Sequence, residues 1–185
     1  MKFIVLLGPK HSGKTSAGRE LATLLSCGFV DLDEVITERN GKIPRVLYTE
    51  GPQIFRKTEA EALAAVFKPE TADSSPQVIA SGGGLADNPT ALTLLEQNAA
   101  AISVFLDISP DTAWERICKA GALPPFLESG NSPGGVVDKS QIHRSLHERR
   151  SAVYRQLASL VIRTDGKSPG NIAREIFDRL PELIR

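Results

Sequence analysis

The amino-acid sequence predicts an α/β fold with three layers, α/β/α, around a five-stranded parallel sheet. Short apolar runs alternate with segments of helical periodicity, which is the pattern of parallel strands joined by crossover helices. The chain has 185 residues, of which 41% are hydrophobic and 24% charged, and this suits one domain with a full core. No linker or internal repeat interrupts it, so we expect a single domain over residues 1–185.

The first predicted strand and helix enclose a glycine-rich motif. Residues 2–7 are a short apolar run typical of a buried parallel strand, and beyond residue 16 apolar positions recur at helical spacing. Strand, glycine loop and helix are the context that a phosphate-binding loop requires, so the sequence predicts a nucleotide site. The loop matches G-x-x-x-x-G-K-[ST] at every fixed position, with Gly8, Pro9, Lys10, His11, Ser12, Gly13, Lys14 and Thr15.

The motif also predicts which groups bind the nucleotide. Backbone N–H groups of residues 8–13 are expected to surround an anion at the start of the helix. Lys14 is expected to reach the β- and γ-phosphates of ATP, and the Thr15 hydroxyl to ligate Mg²⁺. Ser16 also belongs to the predicted ATP site. The alternative interpretation of the motif is a glycine-rich turn that binds no ligand.

Two acidic residues end the second predicted strand, residues 29–33. Asp31 and Asp33 are two positions apart, so on a strand both side chains point to the same face. Because ligands of open α/β sheets bind at the carboxyl ends of strands, this pair is a candidate functional site. An alternative role for Asp33 is to cap the helix predicted at 34–39, and the two roles are compatible.

Two helices and a loop follow. Residues 41–50 are predicted to form a short helix, and a second helix is expected to begin at Pro52, which suits a first helical turn. In that helix Arg56 and Glu59 are three positions apart and can meet on one face. Polar residues at 68–75 predict a loop.

The third predicted strand, residues 78–80, is followed by Ser81, Gly82, Gly83 and Gly84. Three glycines after a buried strand indicate that another group approaches the backbone too closely for a Cβ atom. The alternative is a plain flexible turn.

The second half of the chain alternates in the same way. Residues 121–137 have four glycines, three prolines and no helical period, so a moving lid or a disordered segment is expected there. Helices are predicted at 88–97, from Pro110, at 139–157 and from Ile172, and strands at 101–106 and 160–163.

Charge and cysteine content exclude some classes of partner. Lys plus Arg equal Asp plus Glu at 22 each, so the net charge gives no reason to expect binding to nucleic acid or an anionic membrane. No apolar run approaches the roughly 18 residues of a membrane span. Cys27 and Cys118 form no C-x-x-C motif, which indicates reduced core thiols in a cytoplasmic protein. We expect a monomer.

These features, in this order, resemble the shikimate kinase family, small phosphate-loop kinases of the nucleoside monophosphate kinase type. The resemblance covers the chain from Ile4 to about Ile176. Besides the phosphate loop, four segments carry it: residues 29–33 are similar to the family's D-x-D strand, 51–59 to G-E-x-x-F-R-x-x-E, 81–84 to its glycine triplet, and 150–154 to R-x-x-x-Y.

The resemblance implies transfer of the γ-phosphate of ATP to the 3-hydroxyl of shikimate. Lys14 and Asp33 would be catalytic, with Asp33 orienting the reacting hydroxyl or acting as its general base. Arg56 and Arg150 would bind the substrate carboxylate as planar donors. The backbone of residues 82–84 would lie against the substrate ring.

The resemblance also divides the chain into functional parts. Asp31 would hold Mg²⁺ through water together with Thr15. A substrate-binding helical region would cover residues 33–67, and a lid residues 120–138. Adenine would lie between Arg116 and the loop of Lys167, Ser168 and Pro169.

The predicted lid departs from the family pattern. The family's R-P-L-L, whose arginine reaches the transferred phosphate, is here Pro124-Pro125-Phe126-Leu127, and residues 129–135 are an insertion. Pro52 also stands where the family has glutamate. We expect another cation, Arg144 or Lys139, to compensate for the lid arginine, and Arg144 is therefore a candidate catalytic residue.

Two other functions stay open on the sequence alone. One is a kinase of the same fold for another hydroxylated acid, such as gluconate. The other is a catalytically weak nucleotide-binding protein that acts as a sensor. His143 and His147 have i, i+4 spacing but form no H-E-x-x-H motif, so we expect a solvated helix face rather than a metal site.

Overall fold

The five predicted parallel strands are confirmed in the computed structural model, which describes residues 2–68, 76–121, 123–128 and 138–183. All the strand pairs are parallel, and the sheet order is β2-β3-β1-β4-β5. The strands are β1 (Phe3–Leu7), β2 (Gly28–Asp31), β3 (Gln77–Ala80), β4 (Ala101–Asp107) and β5 (Leu160–Arg163).

Helices cover both faces of the sheet. Six of the described helices begin at a proline, whose missing N–H has no intrahelical partner in a first turn anyway. The helices are α1 (Lys14–Leu25), α2 (Leu32–Asn40), α3 (Pro44–Glu50), α4 (Pro52–Val66), α5 (Pro89–Gln97), α6 (Pro110–Lys119), α7 (Pro125–Glu128), α8 (Lys139–Leu157) and α9 (Pro169–Leu183), with a 3₁₀ turn at Leu85–Asp87.

Strand β1 lies at the centre of the core. Its alternate side chains enter two separate hydrophobic clusters: Phe3, Val5 and Leu7 pack on the side of α4 and α5, whereas Ile4 and Leu6 pack on the side of α1 and α9. All five are buried, which explains why the strand reads as one apolar run. The predicted three layers are therefore confirmed.

The end of β2 differs from the prediction. The strand stops at Asp31, and α2 begins at Leu32, so Asp31 and Asp33 do not share a strand face. Asp31 is extended at the boundary, and its Oδ1 accepts a hydrogen bond from the backbone N–H of Asp33 at 3.0 Å. Asp31, rather than Asp33, is therefore the residue that caps the helix.

Two other boundaries also shift. The short helix predicted at 41–50 begins only at Pro44, because the residue before a proline is held extended, as Ile43 is. Within the described part of the predicted lid lies one helical turn, α7, which the sequence did not predict. Residues 122 and 129–137 of the lid and 69–75 of the predicted loop lie outside the described residues. None of the described helices is long and apolar enough to span a membrane.

The cysteines do not lie in the core as expected, because Cys27 is half-buried and Cys118 is exposed.

Candidate active site

Two adjacent cavities open at the carboxyl edge of the sheet, where ligands of such folds bind. The larger cavity has a volume of about 560 Å³ and is formed by the phosphate loop, the end of β2 and the start of α9. The smaller cavity, about 340 Å³, lies between α3, α4, the glycine triplet and α8. Both cavities are lined by Lys10, Asp33 and Gly83, which form a shared wall.

Lys14 lies on the floor of the larger cavity. Its side chain is buried, and Nζ donates to the carbonyl oxygens of Gly8 and Pro9, each at 2.8 Å. Burial lowers the pKa of Lys14 to about 8, while the carboxylates of Asp33 and Asp31 oppose that shift. The ammonium is therefore charged at neutral pH and is held by the loop at the position where a phosphate would enter.

Thr15 and Asp31 provide oxygen atoms at the same cavity. Thr15 Oγ1 donates to Asp31 Oδ2 at 2.8 Å, so the two side chains are already together. Mg²⁺ prefers oxygen ligands, keeps several waters and takes only one or two protein groups beside substrate phosphates. Within the described part of the chain, no group of three or more His, Cys, Asp or Glu side chains is placed to hold a metal. This pair of residues fits such a sparsely ligated Mg²⁺ ion.

Asp33 faces both cavities from the first turn of α2. Its carboxylate is open to the cavities, but protein surrounds it elsewhere. This desolvation, followed by the nearby charge of Asp31, raises the pKa of Asp33, against the influence of Lys14 and Lys10. A carboxylate with a raised pKa is a better proton acceptor for a hydroxyl group.

The glycine triplet contacts protein groups closely. A Cβ atom on Gly83 would lie 2.8 Å from the backbone N of Lys10, and one on Gly82 would lie 2.7 Å from Glu59 Oε1. Both distances are shorter than real Cβ contacts allow. The close approach expected at the triplet is therefore made by the phosphate loop and by Glu59.

Glu59 is fully buried beneath the triplet. Its Oε2 accepts a hydrogen bond from Asn88 Nδ2 at 2.9 Å, while Oε1 has no hydrogen-bond partner in the described residues. Burial raises the pKa of Glu59 to about 7. Because the same Asn88 amide also donates to the carbonyl oxygen of Arg56 at 2.7 Å, this network ties α4 to the start of α5.

Glu59→Gln is expected to change how stability depends on pH. Burial moves the pKa of Glu59 from an ordinary value of 4.5 to about 7, so between these values the folded protein keeps a proton that the unfolded chain has lost. This group therefore makes stability fall as pH rises through that range. Glutamine removes the charge and keeps an oxygen for Asn88, so the variant should gain more stability over wild type at pH 8 than at pH 5.

Urea denaturation at both pH values measures that difference. The matched control is Glu61→Gln on the same helix, since the Glu61 side chain is 60% exposed. An equal difference between variant and wild type at the two pH values would show that Glu59 is ionised throughout.

Arg150 and Tyr154, one turn apart on α8, both contact the triplet. Arg150 donates to Asp87 Oδ2 from Nε at 3.0 Å and from Nη2 at 2.6 Å, and to Gly83 O from Nη1 at 3.4 Å. The Tyr154 hydroxyl donates to Gly83 O and accepts from Ala86 N, each at 3.2 Å. Asp87, which the sequence did not reveal, therefore sets the orientation of the Arg150 guanidinium.

Arg56 enters the smaller cavity from α4. Among the described residues, its guanidinium has no hydrogen-bond or ion-pair partner. The cavity thus combines Arg56 and Arg150, beside Arg45, with an apolar wall, a combination that suits a small ring bearing a carboxylate. The apolar wall consists of Ile43, Pro44, Tyr48, Phe55, Pro124 and Pro125.

Most of the residues predicted to contact adenine line the larger cavity. Arg116, Lys167 and Pro169 line it, and Arg116 Nη1 also donates to His11 O at 2.8 Å. Ser168 is not part of the lining; its hydroxyl accepts from Asn171 N at 3.2 Å and caps α9.

The structure does not bring Arg144 to the cavities. Its guanidinium forms an ion pair with Asp111 on α6, and neither Arg144 nor Lys139 belongs to the described lining of either cavity. A catalytic role for Arg144 remains a prediction from the sequence. The smaller cavity contains Pro124 where the family pattern has arginine.

The solvated face expected for His143 and His147 is wrong. Both rings are buried, with centroids 5.6 Å apart, and Trp114 of α6 lies 5.3 Å from His143. Burial is the main cause of the lowered pKa of His143, which is about 4. The His143 ring is therefore neutral at neutral pH, and both rings pack α8 against α6.

Comparison with known proteins identifies the family of the chain. The family model for shikimate kinase matches residues 10–181. A shikimate kinase of Marinomonas sp. is 32% identical over 98% of this chain and 93% of its own length, and one of Sulfurihydrogenibium sp. is 33% identical over 97% and 98%. The structure of shikimate kinase from Acinetobacter baumannii in complex with shikimate superposes with a TM-score of 0.82 at 28% identity, covering 99% of this chain and 94% of that one. The chain belongs to the shikimate kinase family.

Proposed function

We propose that this protein is an enzyme that transfers the γ-phosphate of ATP to the 3-hydroxyl of shikimate. The observation that carries the proposal is the wall that the two cavities share. A phosphate-loop cavity for ATP and a cavity with two arginines for a carboxylate meet at Lys10, Asp33 and Gly83. A hydroxyl bound at that wall would face the end of the triphosphate, as in-line transfer requires.

The roles of the individual residues follow from their positions. Arg56 and Arg150 would bind the carboxylate, and the apolar wall of the smaller cavity would hold the ring. Asp33 would accept the hydrogen bond of the 3-hydroxyl and orient it. Lys14 would exchange its bonds to loop carbonyls for the β- and γ-phosphates, and Arg116 with Lys167 and Pro169 would flank adenine.

Thr15 and Asp31 would hold Mg²⁺, Thr15 directly and Asp31 through water. When bound, the ion neutralises charge on the phosphates. This assignment is supported by the 2.8 Å distance between Thr15 Oγ1 and Asp31 Oδ2, which brings the two oxygen-bearing side chains together.

A coupled assay of ADP release tests the function. We expect release that requires ATP, Mg²⁺ and shikimate, with no comparable release when gluconate replaces shikimate. Turnover of gluconate instead would identify a kinase for another hydroxylated acid. Shikimate binding without ADP formation at any Mg²⁺ concentration would identify a sensor.

Arg56→Lys is expected to weaken shikimate binding nearly as much as Arg56→Ala. A lysine supplies one point charge in place of the planar fork that holds a carboxylate with two hydrogen bonds. Titration calorimetry with shikimate measures the effect, and ATP affinity should stay unchanged because Arg56 lines only the smaller cavity. Unaltered shikimate affinity in both variants would show that the substrate carboxylate binds to other residues.

Three further properties belong to the same proposal: a monomer, a cytoplasmic location and no nucleic-acid partner. The zero net charge gives no electrostatic attraction to nucleic acid. Sedimentation at working concentration tests the monomer.

A further inference from the structure

Lys10 occupies a position that no other cation of the described chain shares. The larger cavity is lined by Lys10, Lys14, Arg116 and Lys167, and the smaller one by Lys10, Arg45, Arg56 and Arg150. Of the lysines and arginines in the described residues, only Lys10 belongs to both linings. Lys10 therefore lies at the boundary across which a phosphoryl group would move.

Several of the other cations already have partners. Lys14 donates to carbonyls of the phosphate loop, and Arg116 donates to His11 O. Arg150 is bound to Asp87, and Arg45 Nη1 donates to Leu123 O at 3.1 Å. The Lys10 side chain is exposed, and no described residue forms an ion pair or hydrogen bond with its ammonium group.

The backbone of Lys10 is nevertheless fixed. It lies against Gly83 so closely that a Cβ atom there would be 2.8 Å from Lys10 N and 3.1 Å from Lys10 Cα. The Cα atom of Lys10 is thus anchored at the shared wall while its ammonium remains available. Asp33 lines the same wall, and the positive charge of Lys10 is one of the influences that lower the pKa of Asp33.

Phosphoryl transfer creates a need for such a cation. Charge spreads over the three equatorial oxygens of the moving group, and positively charged side chains stabilise it. Pro124 is a buried residue that lines the smaller cavity, and it stands where the family pattern has arginine. Proline carries no charge. Arg144, paired with Asp111, lies outside the linings of both cavities.

We propose that Lys10 is a catalytic residue whose ammonium group contacts the phosphoryl group during its transfer and replaces the missing lid arginine. This inference rests on the proposed function. In the transfer, the bond from the acceptor oxygen to the γ-phosphorus forms as the bond from that phosphorus to the β–γ bridging oxygen breaks. The hydroxyl proton passes to Asp33, ADP leaves with the bridging oxygen, and Lys10 exchanges no proton.

The test compares Lys10→Met, which keeps the length of the side chain without its charge, with Lys10→Arg. In single-turnover measurements with shikimate and MgATP, Lys10→Met should transfer phosphate at least about tenfold more slowly, as when one preorganised donor is lost. Lys10→Arg should keep most of the rate. The affinities of both variants for ATP and for shikimate should change little, because other residues hold each ligand.

A transition-state analogue gives a second readout. The complex with MgADP, aluminium fluoride and shikimate should be weakened in Lys10→Met by about the factor lost in the transfer rate. The matched control is Lys57→Met, because that side chain is 78% exposed on α4 and lies 3.9 Å from Glu61. We expect this control to behave as wild type in both measurements.

Two results would overturn the inference. One is an unchanged transfer rate in Lys10→Met. The other is a loss confined to shikimate affinity, which would make Lys10 a ligand of the carboxylate. Failure of the proposed function is distinguishable from both, since the wild type itself would then release no ADP with shikimate.

Discussion

Lys14→Ala should reduce phosphoryl transfer at least about a thousandfold, the largest effect that we expect of any single substitution. The side chain is buried on the floor of the larger cavity, and Nζ lies 2.8 Å from two loop carbonyls. Alanine would leave those oxygens facing the phosphates with no compensating charge. The affinity for ATP should fall as well.

Single-turnover kinetics and ATP titration measure these two losses. The fold should persist, because the hydrophobic clusters on the two sides of the sheet do not include Lys14. Circular dichroism checks this directly. A variant with near wild-type turnover would contradict the assignment of the phosphate loop.

Asp33→Asn should slow turnover by about a hundredfold or more, while ATP affinity stays nearly constant. Asparagine preserves the size of the side chain but cannot accept a proton from the 3-hydroxyl. Because desolvation and Asp31 raise the pKa of Asp33, wild-type activity should fall as pH drops through that pKa. The remaining activity of Asp33→Asn should lack this acid limb.

Asp31→Asn provides the comparison for that experiment. Asp31 Oδ2 accepts a hydrogen bond from the Thr15 hydroxyl, so both side chains lie at the proposed Mg²⁺ site. Loss of the Asp31 charge should therefore raise the Mg²⁺ concentration needed for half-maximal rate. Rates measured across a Mg²⁺ series separate the two variants. Identical behaviour of Asp31→Asn and Asp33→Asn would argue against separate roles.

Much of the fold could be predicted because its signals are local. The apolar run of β1, the glycine loop and the periodicity of α8 each lie within one short segment. The boundary at Asp31 was misplaced because two acids at alternate positions are compatible with a strand end and with a helix cap. Hydrogen bonding from Asp33 N decides between them, and it is visible only in three dimensions.

The parts of the site that the sequence missed depend on long-range contacts. Asp87 binds Arg150 across 63 positions of sequence, and an isolated aspartate in a turn gives no sign of that role. His143 and His147 look like solvent-facing residues of a polar helix, yet α6 covers them. Lys10 occupies a variable position of the loop motif, so the pattern alone attaches no particular role to it.

The contact between Lys10 and Gly83 also has a thermodynamic consequence. Because the phosphate loop and the glycine triplet touch at this point, the two binding sites share a structural boundary rather than two independent walls. By linkage, whatever factor ATP imposes on the affinity for the acceptor, the acceptor imposes on the affinity for ATP. We therefore expect an added methyl group at Gly83, which would separate the two surfaces, to change this factor.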